Sequence, residues 1–68
     1  MREVPITTDT IRLGQFLKLA DVVEVGSDVK LLLEDGAVTV NGEAESRRGR
    51  TLTRGDVVAV DGTELRVA

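Results

Sequence analysis

The spacing of apolar residues changes from a helical to a strand-like period near the middle of the chain. In the first half, four apolar residues recur at intervals of 3, 1 and 3, as on the buried face of a helix. These residues are Leu13, Phe16, Leu17 and Ala20. We predict a first helix here, capped by Asp9 or Thr10, with Phe16 in the core because it lies on the apolar face.

A second helix is predicted after Gly26, which interrupts the pattern. Ser27 is a good N-cap, because its hydroxyl can accept a hydrogen bond from a backbone N–H of the first turn. The apolar residues of this helix form a stripe, and Gly36 follows where a left-handed C-terminal cap is expected. The stripe consists of Val29, Leu32 and Leu33.

In the second half of the chain, apolar residues alternate with polar ones, which is the pattern of half-buried strands. Two turn signals, Asn41-Gly42 and Asp61-Gly62, predict two hairpins with type I′ turns. The strands on either side of the second turn read VVAV and TELRV.

These elements define the predicted architecture. Near the N-terminus, residues 3–6 are expected to form an added edge strand, where Pro5 is tolerated. The predicted order is therefore β-α-α-β-β-β, an α+β domain in which two helices pack on a small, mostly antiparallel sheet. We expect residues 1–68 to form one domain without an internal linker or repeat.

Composition argues against several classes of function. The 68 residues include no cysteine and no histidine, so thiolate metal sites, the commonest zinc ligand and the commonest neutral-pH acid/base catalyst are missing. We therefore expect no enzyme activity, no cofactor, no metal and no small-molecule substrate. No apolar run exceeds four residues and the N-terminus resembles no targeting signal, so we expect a cytoplasmic protein without membrane association.

Positive charge is concentrated on one short segment. The chain has twelve acids and nine bases, for a net charge of -3, yet four arginines fall within the eight residues 47–54, which we call the arginine segment. They are Arg47, Arg48, Arg50 and Arg54. A guanidinium group keeps its charge at physiological pH and can bind a phosphate through two hydrogen bonds. The segment is therefore a candidate anion site on an otherwise acidic chain.

Several motifs follow one another in a characteristic order. A first helix and a short second helix ending in glycine precede a strand reading VTVNG, the arginine segment and a Gly-Asp turn. This set resembles the S4 RNA-binding domain, in the small stand-alone form of the YbcJ-like, ribosome-associated bacterial proteins, over about residues 11–60. The chain departs from the family in its acidic balance and at Gly26, where many S4 domains have a basic residue.

The resemblance implies that RNA lies across the polar faces of the two helices and the adjoining loop and strand. The candidate RNA-binding residues are Arg12 in the first helix, Ser27, Lys30, Asn41, Arg47, Arg48, Arg50 and Arg54. Each has a structural alternative. The alternatives are an Arg12–Asp9 pair, a Lys30–Glu34 pair, Ser27 as a helix cap, Asn41 as a turn residue, and the four arginines as a solvated loop.

Two functions of different classes remain open. The first is non-catalytic binding of structured RNA by a monomer, with ribosomal or ribosome-associated RNA as the expected partner. The second is a protein-interaction module in which the arginine segment docks an acidic partner. Because Phe16 is the one aromatic residue of the chain, stacking of bases on aromatic rings is not expected.

Overall fold

The computed structural model of the chain describes residues 1–23 and 26–68, with side chains described for all of these except residues 26 and 27. The described part contains two helices and seven short strands. The helices are α1 (Leu13–Leu19) and α2 (Gly26–Glu34). The strands are β1 (Arg2–Val4), β2 (Thr10–Arg12), β3 (Val38–Val40), β4 (Glu43–Ala44), β5 (Thr51–Thr53), β6 (Val57–Val60) and β7 (Thr63–Val67).

The strands form two sheets. The larger sheet has the order β1-β7-β6-β3-β4, and its neighbours are antiparallel except for β1 and β7, which are parallel. Strands β2 and β5 pair separately as a short antiparallel ribbon. The α+β class and the mostly antiparallel sheet are confirmed, and the predicted edge strand is β1, with Pro5 directly after it. Strands β2 and β5 are additional to the predicted elements, and β4 is the second arm of the hairpin predicted at Asn41-Gly42.

Both predicted hairpins are present. Strands β3 and β4 are joined by Asn41-Gly42, and strands β6 and β7 are joined by Asp61-Gly62. All four turn residues have positive φ, between 48° and 86°. Positive φ at both central residues is what a two-residue type I′ turn requires, so this local sequence signal determines the strand register on both sides of each turn.

The start of α1 differs from the prediction. Thr10 lies in β2, and Arg12 occupies the N-cap position of α1 without a capping side-chain hydrogen bond. The prediction that Asp9 or Thr10 caps the helix is therefore wrong. Pairing of β2 with β5 continues through Arg12, so extended backbone persists up to the first helical residue, Leu13.

The end of α2 agrees with the prediction. Gly36 has a φ of 71°, in the left-handed region that glycine adopts without a Cβ clash. Its backbone N–H donates to the carbonyl oxygen of Leu33 at 3.3 Å, and the N–H of Ala37 donates to that of Leu32 at 3.2 Å. This pair of hydrogen bonds is a Schellman motif, which satisfies carbonyl groups at the end of the helix.

One hydrophobic core joins both helices to both sheets. The four apolar residues predicted for α1 are all fully buried, and Phe16 is among the largest of the buried side chains. From α2, Val29 and Leu33 are buried and Leu32 packs partly against the core, whereas Leu31 is 58% exposed. The predicted apolar faces of both helices are therefore confirmed.

The residues that the structure describes were also compared with the requirements for a membrane-spanning helix and for a metal site. Neither helix combines the length and apolar character that crossing a membrane would need. No group of three or more metal-ligating side chains is found in the part of the chain that the structure describes.

Candidate nucleic-acid interface

The connection between β4 and β5, residues 45–50, lies against the start of α1, and we call it the β4–β5 loop. The backbone N–H of Leu13 donates to the carbonyl oxygen of Arg50 at 2.8 Å, and that of Gly14 donates to the carbonyl oxygen of Arg48 at 2.9 Å. These bonds satisfy two of the N–H groups that the first turn of a helix leaves without helical partners. The loop backbone thus takes the place of the predicted side-chain cap.

A buried carboxylate holds two arginines of this loop. Glu45 is 7% exposed, and its oxygens accept hydrogen bonds from the backbone N–H groups of Ser46 and Arg47, both at 3.0 Å. They also accept hydrogen bonds from the guanidinium of Arg47, through Nε and Nη2 at 3.2 Å, and from Nη1 of Arg50 at 3.0 Å. Arg47 and Arg50 therefore share one counter-ion.

These contacts change the ionisation of the carboxyl group. Hydrogen bonds from the side chain and backbone of Arg47, followed by the one from Arg50, lower the pKa of Glu45 from 4.5 to about 2. The hydrogen bond with Glu45 also raises the pKa of Arg47. Because hydrogen bonds to the charged form favour that form, Glu45 stays ionised at neutral pH and offsets one positive charge of the loop.

An open groove of about 280 Å³ lies between α2 and the β4–β5 loop. It is lined by Lys30, Leu33 and Glu34 from α2 and by Ser46 and Arg48 from the loop. Lys30 Nζ lies 3.9 Å from Glu34 Oε1, and these side chains are 72% and 59% exposed, so they form a weak surface pair. The groove thus brings together two predicted RNA-binding residues, Lys30 and Arg48, from distant parts of the sequence.

Arg12 lies beside the same loop but not on the helix. It is the last residue of β2, and its Nη1 donates to the carbonyl oxygen of Gly49 at 3.0 Å. The prediction that Arg12 belongs to the first helix is therefore wrong, for the same reason that the predicted cap fails. The alternative of an Arg12–Asp9 pair is not observed either, since Asp9 approaches a different arginine.

That arginine is Arg54, which lies after β5 and faces the N-terminal part of the chain. Its Nη2 donates to the carbonyl oxygen of Ile6 at 3.1 Å, and its Nη1 lies 3.8 Å from Asp9 Oδ1. Strand β5 separates it from the β4–β5 loop, and it is not among the residues that line the groove. The arginine segment is therefore divided in space.

The side chain of Asn41 is engaged in turn contacts. Its Nδ2 donates to Asp56 Oδ1 at 3.2 Å, and its Oδ1 accepts from the backbone N–H of Val57 at 2.9 Å. Asp56 also accepts from the N–H of Thr53 at 2.9 Å. These hydrogen bonds link the Asn41-Gly42 turn to the Gly-Asp turn before β6, so they favour the structural alternative for Asn41.

Comparison with known proteins decides the family. The model of the S4 domain family matches residues 4–68 of this chain. The chain belongs to the S4 domain family. The match extends the resemblance seen in the sequence into β1 and through β7.

This S4 domain is similar to two known proteins. The "Probable ribosome maturation protein RlbA" of Bacillus subtilis (strain 168) is 51% identical over 59 residues, covering 87% of this chain and 83% of that protein. The crystal structure of the 30S ribosomal protein S4e from Thermoplasma acidophilum matches with a TM-score of 0.66 and 19% sequence identity. That match covers 88% of this chain but 32% of the ribosomal protein. At this identity it shows the likeness of fold alone.

The eight predicted residues of the S4 domain thus occupy different settings. Lys30 and Arg48 line the groove, Arg47 and Arg50 belong to its loop wall, Arg12 touches that loop, and Asn41 and Arg54 lie in other contacts. Helix α2 begins at Gly26, so Ser27 lies in its first turn, and its predicted role as a cap stays a prediction. The side chain of Ser27 lies outside the described residues.

Glu45 is a functional candidate of the S4 domain that the sequence pattern does not identify. It follows Glu43 and Ala44 along a hairpin arm and looks like another exposed acid. Its N–H continues the pairing of this hairpin by donating to the carbonyl oxygen of Val38 at 3.1 Å, and Val38 is itself buried. The register of the predicted hairpin and the place of Glu45 directly before the arginine segment are the available sequence signals.

Proposed function

We propose that this S4 domain binds structured RNA without catalysing a reaction, and that the RNA is ribosomal or ribosome-associated. Membership of the S4 family supports RNA binding, and the name of the Bacillus relative, a probable ribosome maturation protein, supports a connection with the ribosome. The finer assignment, which concerns the residues that contact RNA, rests on the geometry of the groove between α2 and the β4–β5 loop.

The observation that carries this assignment is the presence of Lys30 and Arg48 on the two walls of one groove. Both side chains are exposed, so a phosphate can contact their charged groups without a conformational change that exposes them first. Structured RNA presents phosphates and 2′-hydroxyl groups across a broad surface. The Ser46 hydroxyl and the Glu34 carboxylate in the same groove are suitable partners for 2′-hydroxyl groups.

The order of the loop also supports the proposal. Its backbone is hydrogen-bonded to the first turn of α1, and Glu45 holds two of its arginines. A surface that is already ordered loses less conformational entropy on binding than a mobile one does. We propose that Arg47 and Arg50 face RNA through the donors that Glu45 leaves unused, and that Arg12 extends the positive surface at Gly49.

A matched pair of charge-removing double variants tests the proposal. Lys30→Gln/Arg48→Gln removes two charges from the groove, and Lys18→Gln/Arg66→Gln removes two exposed charges that do not line it. Fluorescence anisotropy with purified bacterial ribosomal RNA would be measured over a range of salt concentrations. We expect the groove variant to flatten the log-log salt slope by roughly 1.4–1.8 units, since each phosphate contact contributes about 0.7–0.9.

The control variant separates local contacts from the net charge of the chain. If the groove is the site, the control keeps a slope within about half a contact of the wild type. Equal losses in both double variants would mean that RNA responds to overall charge and that the groove is not the site. A wild-type protein that shows no salt-dependent RNA binding would instead favour a protein partner for the arginine segment.

A further inference from the structure

The cluster of Glu45, Arg47 and Arg50 limits the guanidinium donors that a polyanion can use. RNA phosphates and carboxylates compete for the same guanidinium donors, because both present anionic oxygens with suitable spacing. In this loop, a carboxylate of the chain itself already occupies three of those donors, two from Arg47 and one from Arg50. A phosphate approaching these arginines must displace Glu45 or use the remaining donors.

We propose that Glu45 is a specificity-determining residue, which holds the guanidinium groups of Arg47 and Arg50 in fixed positions so that only a correctly placed RNA phosphate can engage them. Glu45 does not touch the RNA in this proposal; it acts through the two arginines. The inference rests on the proposed function only in naming RNA as the anion, since the restraint itself is a property of the cluster.

Burial makes the restraint effective. Glu45 is 7% exposed, and two backbone N–H groups fix its carboxylate in addition to the arginines. The loop backbone therefore contributes to the position of the carboxylate in addition to the arginine side chains. Arg47, by contrast, is 75% exposed and Arg50 is 31% exposed, so their unused donors remain open to a ligand.

The charge balance indicates what the restraint achieves. Two arginines and one carboxylate leave the cluster with one net positive charge, on a chain whose total is -3. A flexible polyanion that relies on charge alone gains little from such a cluster, because its binding strength depends on the number of phosphates neutralised. An RNA whose phosphates meet the fixed donors loses less entropy in using them. Discrimination between partners therefore rises while raw affinity falls.

Glu45→Gln and Glu43→Gln provide the test, because both remove one negative charge from the same part of the chain. The glutamine introduced by E45Q would keep the length of the side chain and an acceptor oxygen for the backbone, whereas Glu43 is exposed in β4. With polyuridylate as the probe, we expect E45Q to steepen the log-log salt slope by roughly 1.4 units, because two released arginines contribute about 0.7 each on a single strand. The E43Q slope should match the wild type. The preference for bacterial ribosomal RNA over polyuridylate should fall in E45Q alone.

Elution from a heparin column tests the restraint without RNA. E45Q should elute at higher salt than E43Q, even if the wild-type protein proves not to bind RNA, so failure of the proposed function can be told from failure of this inference. Co-elution of the two variants, or an E45Q salt slope equal to that of E43Q, would overturn the role of Glu45.

A second pair of variants covers the case in which E45Q does not fold. Arg47→Gln leaves Glu45 with Arg50 and two backbone donors, and Arg48→Gln leaves the cluster intact. If Glu45 restrains Arg47, R48Q should flatten the salt slope on polyuridylate by about 0.7 units and R47Q by less than half of that. Equal losses in the two variants would show that Arg47 is as available as Arg48, and the inference would fail.

Discussion

Helix α2 and the β4–β5 loop form the two walls of one groove, yet different interactions hold them in place. Val29 and Leu33 bury the apolar face of α2, and the Schellman motif at Gly36 ends it. The loop, residues 45–50, contributes no apolar side chain. Its backbone carbonyl groups accept hydrogen bonds from the first turn of α1, and Glu45 binds its arginines.

This difference means that the two walls should respond to different perturbations. The position of Lys30 depends on hydrophobic burial, which is non-directional and does not change with the ionisation of any side chain. The positions of Arg47 and Arg50 depend on hydrogen bonds to an ionised carboxylate, so they require that Glu45 stay deprotonated. Core substitutions should therefore affect the helical wall most, and acid should affect the loop wall most.

The largest effect is expected from Leu33→Ala, which removes the apolar contact of α2. Replacing a buried leucine by alanine costs about 2–5 kcal/mol. Because Leu33 also lines the open groove, we expect the low end, about 2 kcal/mol, from a domain of this size whose stability is roughly 3–5 kcal/mol. Thermal unfolding followed by circular dichroism should show a Tm lower by on the order of 10 °C.

Leu31→Ala is the matched control on the same helix. Leu31 is 58% exposed, so the same substitution should change the stability by no more than about 0.5 kcal/mol. Similar melting temperatures for both variants would contradict the view that burial of one face holds the helical wall.

The sequence predicts the helical wall better than the loop wall, because the signals for α2 are local. The apolar stripe and Gly36 lie within one short stretch, and the helix ends there as predicted. The two hairpins are predictable for the same reason, since each depends on a pair of turn residues. In these regions, the chain needs no distant partner to select its backbone conformation.

The loop wall depends on contacts between distant residues, and here the sequence pattern is insufficient. The predicted cap at Asp9 or Thr10 is wrong because β5, about forty residues later, pairs with β2, and the carbonyl groups of Arg48 and Arg50 in the loop before β5 accept from the first turn of α1. Glu45 is not identified because its burial and its hydrogen bonds to Arg47 and Arg50 depend on the folded conformation of the loop. The four arginines are conspicuous in the sequence, but their contacts are set by the tertiary structure. Two of them bind Glu45, one lines the groove and one contacts the N-terminal part of the chain.

An intermediate effect is expected when the loop wall is exposed to acid. Hydrogen bonds from Arg47 and Arg50 lower the pKa of Glu45 from 4.5 to about 2 in the folded protein. A carboxyl group whose pKa is depressed by folding stabilises the fold above its ordinary pKa. That stabilisation should be fully present above pH 4.5 and should be lost progressively as the pH falls toward 2.

The comparison with E45Q isolates this contribution, because the other eleven acids of the chain are the same in both proteins. Urea unfolding of both proteins at several pH values between 7 and 2 should give a free-energy difference that shrinks only below pH 4.5. The carboxyl resonance of Glu45 can be followed by NMR in the same range. A midpoint near 4.5 would mean that the arginines do not hold this carboxylate in solution.

The smallest effect is expected from Gly14→Ala, at the point where α1 touches both walls of the groove. A Cβ at Gly14 would lie 3.5 Å from Arg48 Cβ and 3.6 Å from Val29 Cγ1, which are ordinary contact distances. Alanine should therefore fit, and it should stabilise the protein by about 0.4–1 kcal/mol by restricting the unfolded chain, raising the Tm by a few degrees. RNA affinity should not change, because the new methyl group adds no charge and leaves the hydrogen bond from the Gly14 N–H in place.

Gly36→Ala is the contrasting variant. Position 36 has open space around an added Cβ but a φ of 71°, so alanine there should lower the Tm through backbone strain alone. If G14A instead lowers the Tm while G36A does not, the loop must pack more tightly on α1 than these distances indicate, and apolar packing would then help to hold the loop wall.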